Sequence, residues 1–172
     1  MGRISIENVG TALKKVRSMD SASQVALADE IFEKQPHLLA SCLVQPKLGV
    51  GNNGLELVLN ILLVCYQAMK ESGFEWPVIS EDEQERQLKR MIGVLKFSHG
   101  LSASGMDNAA TAQYLESHPE QALLAFVLNE CKEWLAKIAS RHSETESDKF
   151  ALMASFNLVN CIAYCGATAR RT

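Results

Sequence analysis

The chain has 172 residues, of which 47% are hydrophobic and 22% are charged, and its formal net charge is −3. This length and composition predict one globular domain that buries a core without help from disulfides or metals. The mildly acidic balance leaves no large basic field, so we expect neither nucleic acid nor a membrane surface as a partner.

Helical periodicity dominates the first half of the chain. Apolar residues spaced by three and four favour α-helices, and Pro36 and Pro46 mark the ends of two of them. The loop 46–53 leads into a helix that is apolar nearly all round, which we expect at the centre of the fold. The helices predicted here are 5–18, a segment from a cap at Asp20 or Ser21 to before Pro36, 37–44 and 54–71.

The second half begins with the connector 73–80, in which Pro77 argues against a strand. Ser80 and Glu83 have capping-box spacing for a fifth helix, and His118 with Pro119 fits the cap and first turn of a seventh. The other segments expected are a flexible loop 98–108, a helix 108–117, a polar turn 141–148, an apolar helix 146–165 and a frayed tail 166–172.

These segments predict an all-α fold, a single compact domain of about eight helices. Two stretches, PHLLASCLV at 36–44 and PEQALLAFVL at 119–128, share a proline followed by L-L-A-x-x-L. A duplication would divide the domain into pseudo-repeated four-helix halves, 1–79 and 80–172, around two central apolar helices. Coincidence in a chain rich in leucine and alanine is the alternative, since the offset between matching residues drifts.

Cysteine usage points to a cytoplasmic protein. The five cysteines lie in apolar helical segments, and an odd number without close spacing argues for reduced thiols that behave as small hydrophobic residues. The N-terminal segment lacks the apolar core of a secretory signal, and the apolar stretch 55–69 is too short to span a bilayer.

The segment KLGVGNNGLEL at 47–57 contains the pattern G-x-G-x-x-G of nucleotide-binding loops. No strand precedes it, and Leu55 occupies the position where a P-loop requires lysine. We therefore interpret the segment as a flexible connection that leads into the central helix. A weaker alternative is an anion site at the helix N-terminus, formed by Lys47, Gly51, Asn52 and Asn53.

The central helices carry polar residues on segments that should be buried: Asn60, Asn157, Asn160 and Tyr164. A buried amide needs hydrogen-bond partners. These residues either join neighbouring helices or line a ligand pocket. The sequence shows no metal-ligand spacing and no catalytic motif, so we expect no metal, no cofactor and no catalytic residues.

Two functions follow from this pattern. The first is a non-enzymatic helical interaction protein, an adaptor, regulatory or immunity-type antagonist protein, that acts through a protein partner or self-association. The second is a small-ligand-binding or enzymatic bundle, whose site is assembled from distant residues around the 47–54 loop and the central helices. The sequence leaves open whether the chain is an enzyme, and the missing catalytic motifs favour a protein that is not one.

Overall fold

The computed structural model describes residues 2–100, 106–140 and 146–171. In these ranges the chain is an all-α domain, as predicted, with eight α-helices and very little strand. The helices are α1 Ile6–Ser18, α2 Ser21–Lys34, α3 Pro36–Leu43, α4 Asn52–Glu71, α5 Glu81–Gly100, α6 Met106–Ser117, α7 Gln121–Ala139 and α8 Glu146–Cys165.

Local capping explains where the first helices begin. Ser5 accepts a hydrogen bond from the Asn8 backbone N–H while the Asn8 side chain accepts one from Ser5, which makes a reciprocal capping box for α1. Asp20 caps α2 by accepting from Ser23 N at 2.8 Å. Pro36 lies in the first turn of α3, where its missing N–H costs nothing.

The two helices predicted to be central form the core of the domain. α4 packs against α1, α3, α7 and α8, and α8 also packs against α5 and α7. Because α4 is surrounded on several sides, it needs apolar residues nearly all round its axis. Its fully or almost fully buried residues include Val58, Ile61, Leu62, Val64 and Cys65.

The predicted loop 46–53 is shorter and more ordered than expected. A 3₁₀ turn at Gln45–Leu48 follows α3, and α4 begins at Asn52. Gly49 ends the turn with φ 86°, a left-handed conformation that is open to glycine at no steric cost. The turn lies against the N-terminal part of α8, which the sequence did not predict.

The connector after α4 and the C-terminal segment pair with each other, which differs from the strand-free connector and frayed tail expected from the sequence. The strand β1, Phe74–Glu75, pairs antiparallel with β2, Arg170–Arg171, after a second 3₁₀ turn at Gly166–Thr168. Trp76 anchors this region, because its Nε1 donates to the Ile162 carbonyl at 2.9 Å. A two-residue ladder is too short to produce a sequence pattern.

Helix ends differ from prediction at the 98–108 segment. α5 continues to Gly100 and α6 already begins at Met106, so both helices extend into the expected loop. Residues 101–105 lie outside the described residues.

One helix in the described ranges, Glu146–Thr168, is long and apolar enough to cross a membrane. Half of its most apolar window is buried within the domain. The core helix of a soluble protein passes the same test, so length and composition alone are weak evidence of a membrane span.

Candidate functional site

The polar residues singled out in the sequence occupy separate places in the structure. Asn160 lies in a buried polar cluster, Asn60 and Asn53 lie in a groove between α4 and α7, and Asn157 lies in a second groove on the other side of α8. No single pocket unites them in the described part of the chain. Each place is described in turn below.

The first place, the polar cluster, comprises Tyr114, His118, Glu120 and Asn160. Asn160 Oδ1 accepts from Tyr114 OH at 2.6 Å and lies 3.2 Å from His118 Nε2. The Glu120 backbone N–H donates to His118 Nδ1 at 3.2 Å, so Nδ1 is an acceptor and Nε2 carries the proton toward Asn160. Burial lowers the pKa of His118, which keeps the ring neutral.

The predicted capping role of His118 was wrong. α7 begins at Gln121, so its N-cap residue is Glu120 and not His118. The ring of His118 accepts a hydrogen bond from the backbone N–H of Glu120. His118 is instead a buried residue that is packed edge-on against the rings of Tyr114 and Tyr164. The Arg90 guanidinium lies over the outer Tyr164 ring at 4.0 Å from its centroid. Tyr164 thus belongs to the packing around this cluster.

Glu120 is a buried carboxylate that sequence reasoning missed. It is fully buried, and its two oxygens accept from the backbone N–H groups of Arg3 at 2.9 Å and Ile4 at 3.0 Å. These two hydrogen bonds join the backbone at residues 3–4 to the α6–α7 connection. The hydrogen bonds of the polar cluster therefore join α6, α8, the α6–α7 connection and the backbone at Arg3 and Ile4.

The second place is the N-terminus of α4 with the groove beside it. Gly51 is the N-cap residue and provides no side-chain cap, so the first turn of α4 is open toward Asn52 and Asn53. A cavity of about 170 Å³ lies there, and the Asp148 carboxylate lines it. Lys47 is exposed and does not line this cavity. The anion site formed by Lys47, Gly51, Asn52 and Asn53 stays a prediction.

Asn60 lines the neighbouring groove between α4 and α7, whose volume is about 410 Å³. Its walls carry three glutamates and one lysine: Glu56, Glu130, Glu133 and Lys137. Trp134 separates the two cavities, and its buried Nε1 has no hydrogen-bond partner among the described residues. The indole N–H is a donor and the glutamate oxygens of this groove are acceptors, but none of them is bonded to it.

The third place is a mainly apolar groove of about 250 Å³, which we call the amide groove. α8 forms its floor, and α5 and the α3–3₁₀ segment form its walls. The residues recur at helical spacing on each element, so each contributes one face. They are Ser41, Val44, Gln45 and Leu48; Gln84, Glu85 and Leu88; and Phe150, Met153, Ala154, Asn157 and Leu158.

Three amide side chains in this groove are incompletely bonded. Five buried side-chain polar atoms in the described ranges lack a hydrogen-bond partner, and three of the five belong to residues of this groove. They are Gln45 Oε1, Gln84 Nε2 and Asn157 Oδ1. Gln45 and Gln84 are only 6% and 8% exposed. A buried polar atom without a partner costs about 1–3 kcal/mol, so this grouping requires an explanation.

The orientation of two of these amides is fixed by their other hydrogen bond. Gln45 Nε2 donates to the Ser41 carbonyl at 3.0 Å, and Asn157 Nδ2 donates to the Gln84 carbonyl at 3.1 Å. Since a backbone carbonyl only accepts, the nitrogen of each amide must face it. Gln45 Oε1 and Asn157 Oδ1 are therefore left without a donor, and both atoms are almost completely buried.

The rim of the amide groove is apolar and exposed. Val44, Leu48 and Phe150 line it and are 39%, 47% and 40% exposed, and Leu43 beside Val44 is more exposed still. Glu85 is its charged residue, and it pairs with Lys89 one turn along α5, which lowers the pKa of the Glu85 carboxyl. The residues that line this groove include no nucleophile–base pair.

The cysteines are free thiols in this structure, and four of the five are buried. Burial raises the pKa of Cys42 to about 12 and that of Cys131 to about 11. Burial also raises the pKa of Cys165, which shares a helix face with Cys161, to about 11. Thiols in such surroundings stay protonated and pack as small hydrophobic groups.

Compared with known proteins, the chain matches no protein-family model, no curated protein and no solved structure. Within the described residues, no group of three or more histidine, cysteine, aspartate or glutamate side chains is placed to hold a metal ion. Any functional assignment therefore depends on the chemistry of the grooves described above.

The amide groove was only partly foreseeable. Asn157 was identified from its position on an apolar helix, and Leu48 belongs to the 47–54 loop. Gln45 and Gln84 gave no signal, because a glutamine next to a proline or inside a charged helix looks solvent-exposed. The spacings 41, 44, 45, 48 and 150, 153, 154, 157, 158 do mark two helix faces, but only the fold brings these faces together.

Proposed function

We propose that this protein is a non-enzymatic interaction protein that binds a segment of another protein in the amide groove. The observation that carries the proposal is the combination of an exposed apolar rim with unpaired buried amides below it. Exposed apolar residues that are grouped around a groove are typical of protein-binding surfaces. Leu48 and Phe150, which both line the groove and are exposed, are the expected apolar contacts.

The size of the groove supports a protein segment over a free small molecule. Pockets for drug-sized ligands measure roughly 300–1,000 Å³. The amide groove, at about 250 Å³, has room for one or two apolar side chains. Such a pocket suits the anchor residues of a partner that makes its remaining contacts on the rim. The free thiols are those of a protein in a reducing, cytoplasmic compartment.

The test combines cross-linking with affinity measurement. A photo-cross-linking amino acid placed at Leu48 should capture one protein from the native source, while the same group at the exposed Phe32 on α2 should not. The captured protein is then purified, and its Kd is measured for wild type, Leu48→Ser, Phe150→Ser and the control Phe32→Ser. We expect Kd to rise at least tenfold for the two groove variants and to stay unchanged for the control.

Three outcomes would overturn the proposal. A captured partner that binds all four proteins equally would show that the groove is not its binding site. A cross-link only between two copies of this chain would assign the surface to self-association. A cross-linked small molecule would favour the ligand-binding alternative.

A further inference from the structure

We infer that protonation of His118 in mild acid releases the segment 2–4 from the domain, while the helical core stays folded. This inference concerns the polar cluster and does not depend on the amide groove. It starts from the two ring nitrogens of His118, because the fold commits each of them to a hydrogen bond that only the neutral ring can make.

The neutral ring of His118 fits its surroundings and the charged ring does not. Nε2 carries its proton toward Asn160 Oδ1 at 3.2 Å, and Nδ1 accepts from the Glu120 backbone N–H at 3.2 Å. A protonated ring has a donor at both nitrogens. Its Nδ1–H would point at another N–H, so protonation must break the hydrogen bond between His118 and the Glu120 backbone.

The groups around the ring of His118 direct the rearrangement toward Glu120. Tyr114 of α6 and Tyr164 of α8 pack against it with their ring edges, and Arg90 of α5 opposes a positive charge on it. Glu120 is the carboxylate that attracts such a charge. The imidazolium therefore competes for the Glu120 oxygens, because opposite charges in a buried site attract each other more strongly than a charge attracts a neutral N–H.

The Glu120 oxygens are the atoms that hold the segment 2–4. They accept from the backbone N–H groups of Arg3 at 2.9 Å and Ile4 at 3.0 Å, and Ile4 is only 2% exposed. The fit is close, since a Cβ atom built on Gly2 would lie 2.5 Å from Glu120 Oε2. A shift of the carboxylate toward the ring therefore removes both hydrogen bonds and disturbs the contact at Gly2.

The direction of the change with pH follows from proton binding. Burial lowers the pKa of His118 in the folded domain, whereas a solvated histidine titrates near pH 6.5. The released state therefore binds more protons as pH falls below about 6.5, and acid shifts the equilibrium toward it. For a ring that stays neutral in the bonded state, this shift reaches about thirtyfold at pH 5.0.

The test is amide hydrogen exchange measured by NMR from pH 7.5 to 5.0, with each rate corrected for the intrinsic pH dependence of exchange. The Ile4 amide reports release of the segment, and the Ile61 amide in α4 reports opening of the core. We expect the Ile4 protection factor to fall by about three- to thirtyfold. It should also stay at least about tenfold below that of Ile61 at pH 5.0.

His118→Gln is the matched comparison. Its amide oxygen can accept from the Glu120 N–H and its nitrogen can donate to Asn160, but the amide takes up no proton. In this variant, the Ile4 protection factor should change by less than about twofold over the same pH range. His37→Gln, at a histidine of α3 outside the polar cluster, is the control and should keep the wild-type fall.

Three results would overturn the inference. A wild-type fall of less than about threefold would show that acid does not release the segment. An equal fall in His118→Gln would assign the release to another group. Equal protection factors at Ile4 and Ile61 would show that the whole domain unfolds.

The wild-type protein decides the inference even where His118→Gln does not fold. Ring NMR of the folded protein gives the pKa of His118 directly. The measured fall in Ile4 protection must then equal the value that proton linkage gives from this pKa and the solvated pKa of about 6.5. A fall that departs from this value would contradict control of the segment by His118.

Discussion

Asn157 and Asn160 lie three residues apart on α8, yet they belong to opposite kinds of polar region. Asn160 accepts from Tyr114 and faces His118, in a cluster whose members bond one another. Asn157 uses its nitrogen within the fold and leaves its oxygen unpaired in the amide groove. Both are asparagines on an apolar helix, so residue type alone does not predict how each side chain is hydrogen-bonded.

The difference teaches how to interpret a buried amide. A polar group whose hydrogen bonds are all made inside the fold fixes the packing of helices. A polar group that is held by one bond and leaves its other polar atom unpaired lowers the stability of the protein. Each of the following predictions tests one side of that comparison.

The largest expected effect is in the polar cluster at Glu120. Glu120→Ala removes the acceptor for two buried backbone N–H groups, those of Arg3 and Ile4. Hydrogen bonds to a charged acceptor contribute about 1.5–3 kcal/mol each, so the free energy of unfolding should fall by about 3 kcal/mol or more. Urea unfolding at neutral pH measures this fall in the free energy of unfolding. Glu116→Ala, on the exposed side of α6, is the control and should change stability by less than about 0.5 kcal/mol.

The same substitution at the two asparagines should have unequal effects. Asn160→Leu leaves Tyr114 OH and His118 Nε2 without their acceptor, so we expect a loss of about 2–4 kcal/mol. Asn157→Leu removes an unpaired oxygen together with one bond, so the net change should stay within about 1 kcal/mol. Parallel denaturation curves compare the two variants. Equal losses of stability would contradict the described difference in hydrogen bonding between Asn157 and Asn160.

The stability of the polar cluster should depend on pH through His118. Its folded-state pKa is lowered by burial, so between the folded and unfolded pKa values the unfolded chain binds more protons. Stability from this group is therefore fully present above the unfolded pKa of about 6.5 and is lost as pH falls below it. Unfolding free energies at pH 7.5 and 5.5 should differ more for wild type than for His118→Gln. Identical pH dependence in the two proteins would contradict a neutral buried ring.

Most of the fold could be predicted from the sequence, because apolar spacing and caps act locally. Asp20 and the proline at position 36 set helix boundaries through contacts with their own neighbours. The central position of α4 and α8 followed from their nearly continuous apolar surface. The pairing of β1 with β2 could not be predicted, because it depends on two short segments that are far apart in the chain.

The candidate site was harder to predict from the sequence for the same reason. Asn157 and Asn160 were both predicted to be buried, but their different roles depend on what α5 and the α6–α7 connection place opposite them. Glu120 follows a proline near a helix start and looks exposed in the sequence. Only the return of the N-terminal backbone to that point makes it an internal acceptor. The two-halves hypothesis, 1–79 and 80–172, stays a prediction.

The most direct test of the comparison is the free energy of unfolding of Gln84→Met, measured without any partner. Methionine has nearly the same shape as glutamine but brings no donor, so the unpaired Nε2 in the amide groove disappears. We predict that the variant equals or exceeds wild type in stability, by up to about 1 kcal/mol. A loss of 1 kcal/mol or more would show that the Gln84 amide is bonded within the fold, and would contradict the unpaired donor described for it.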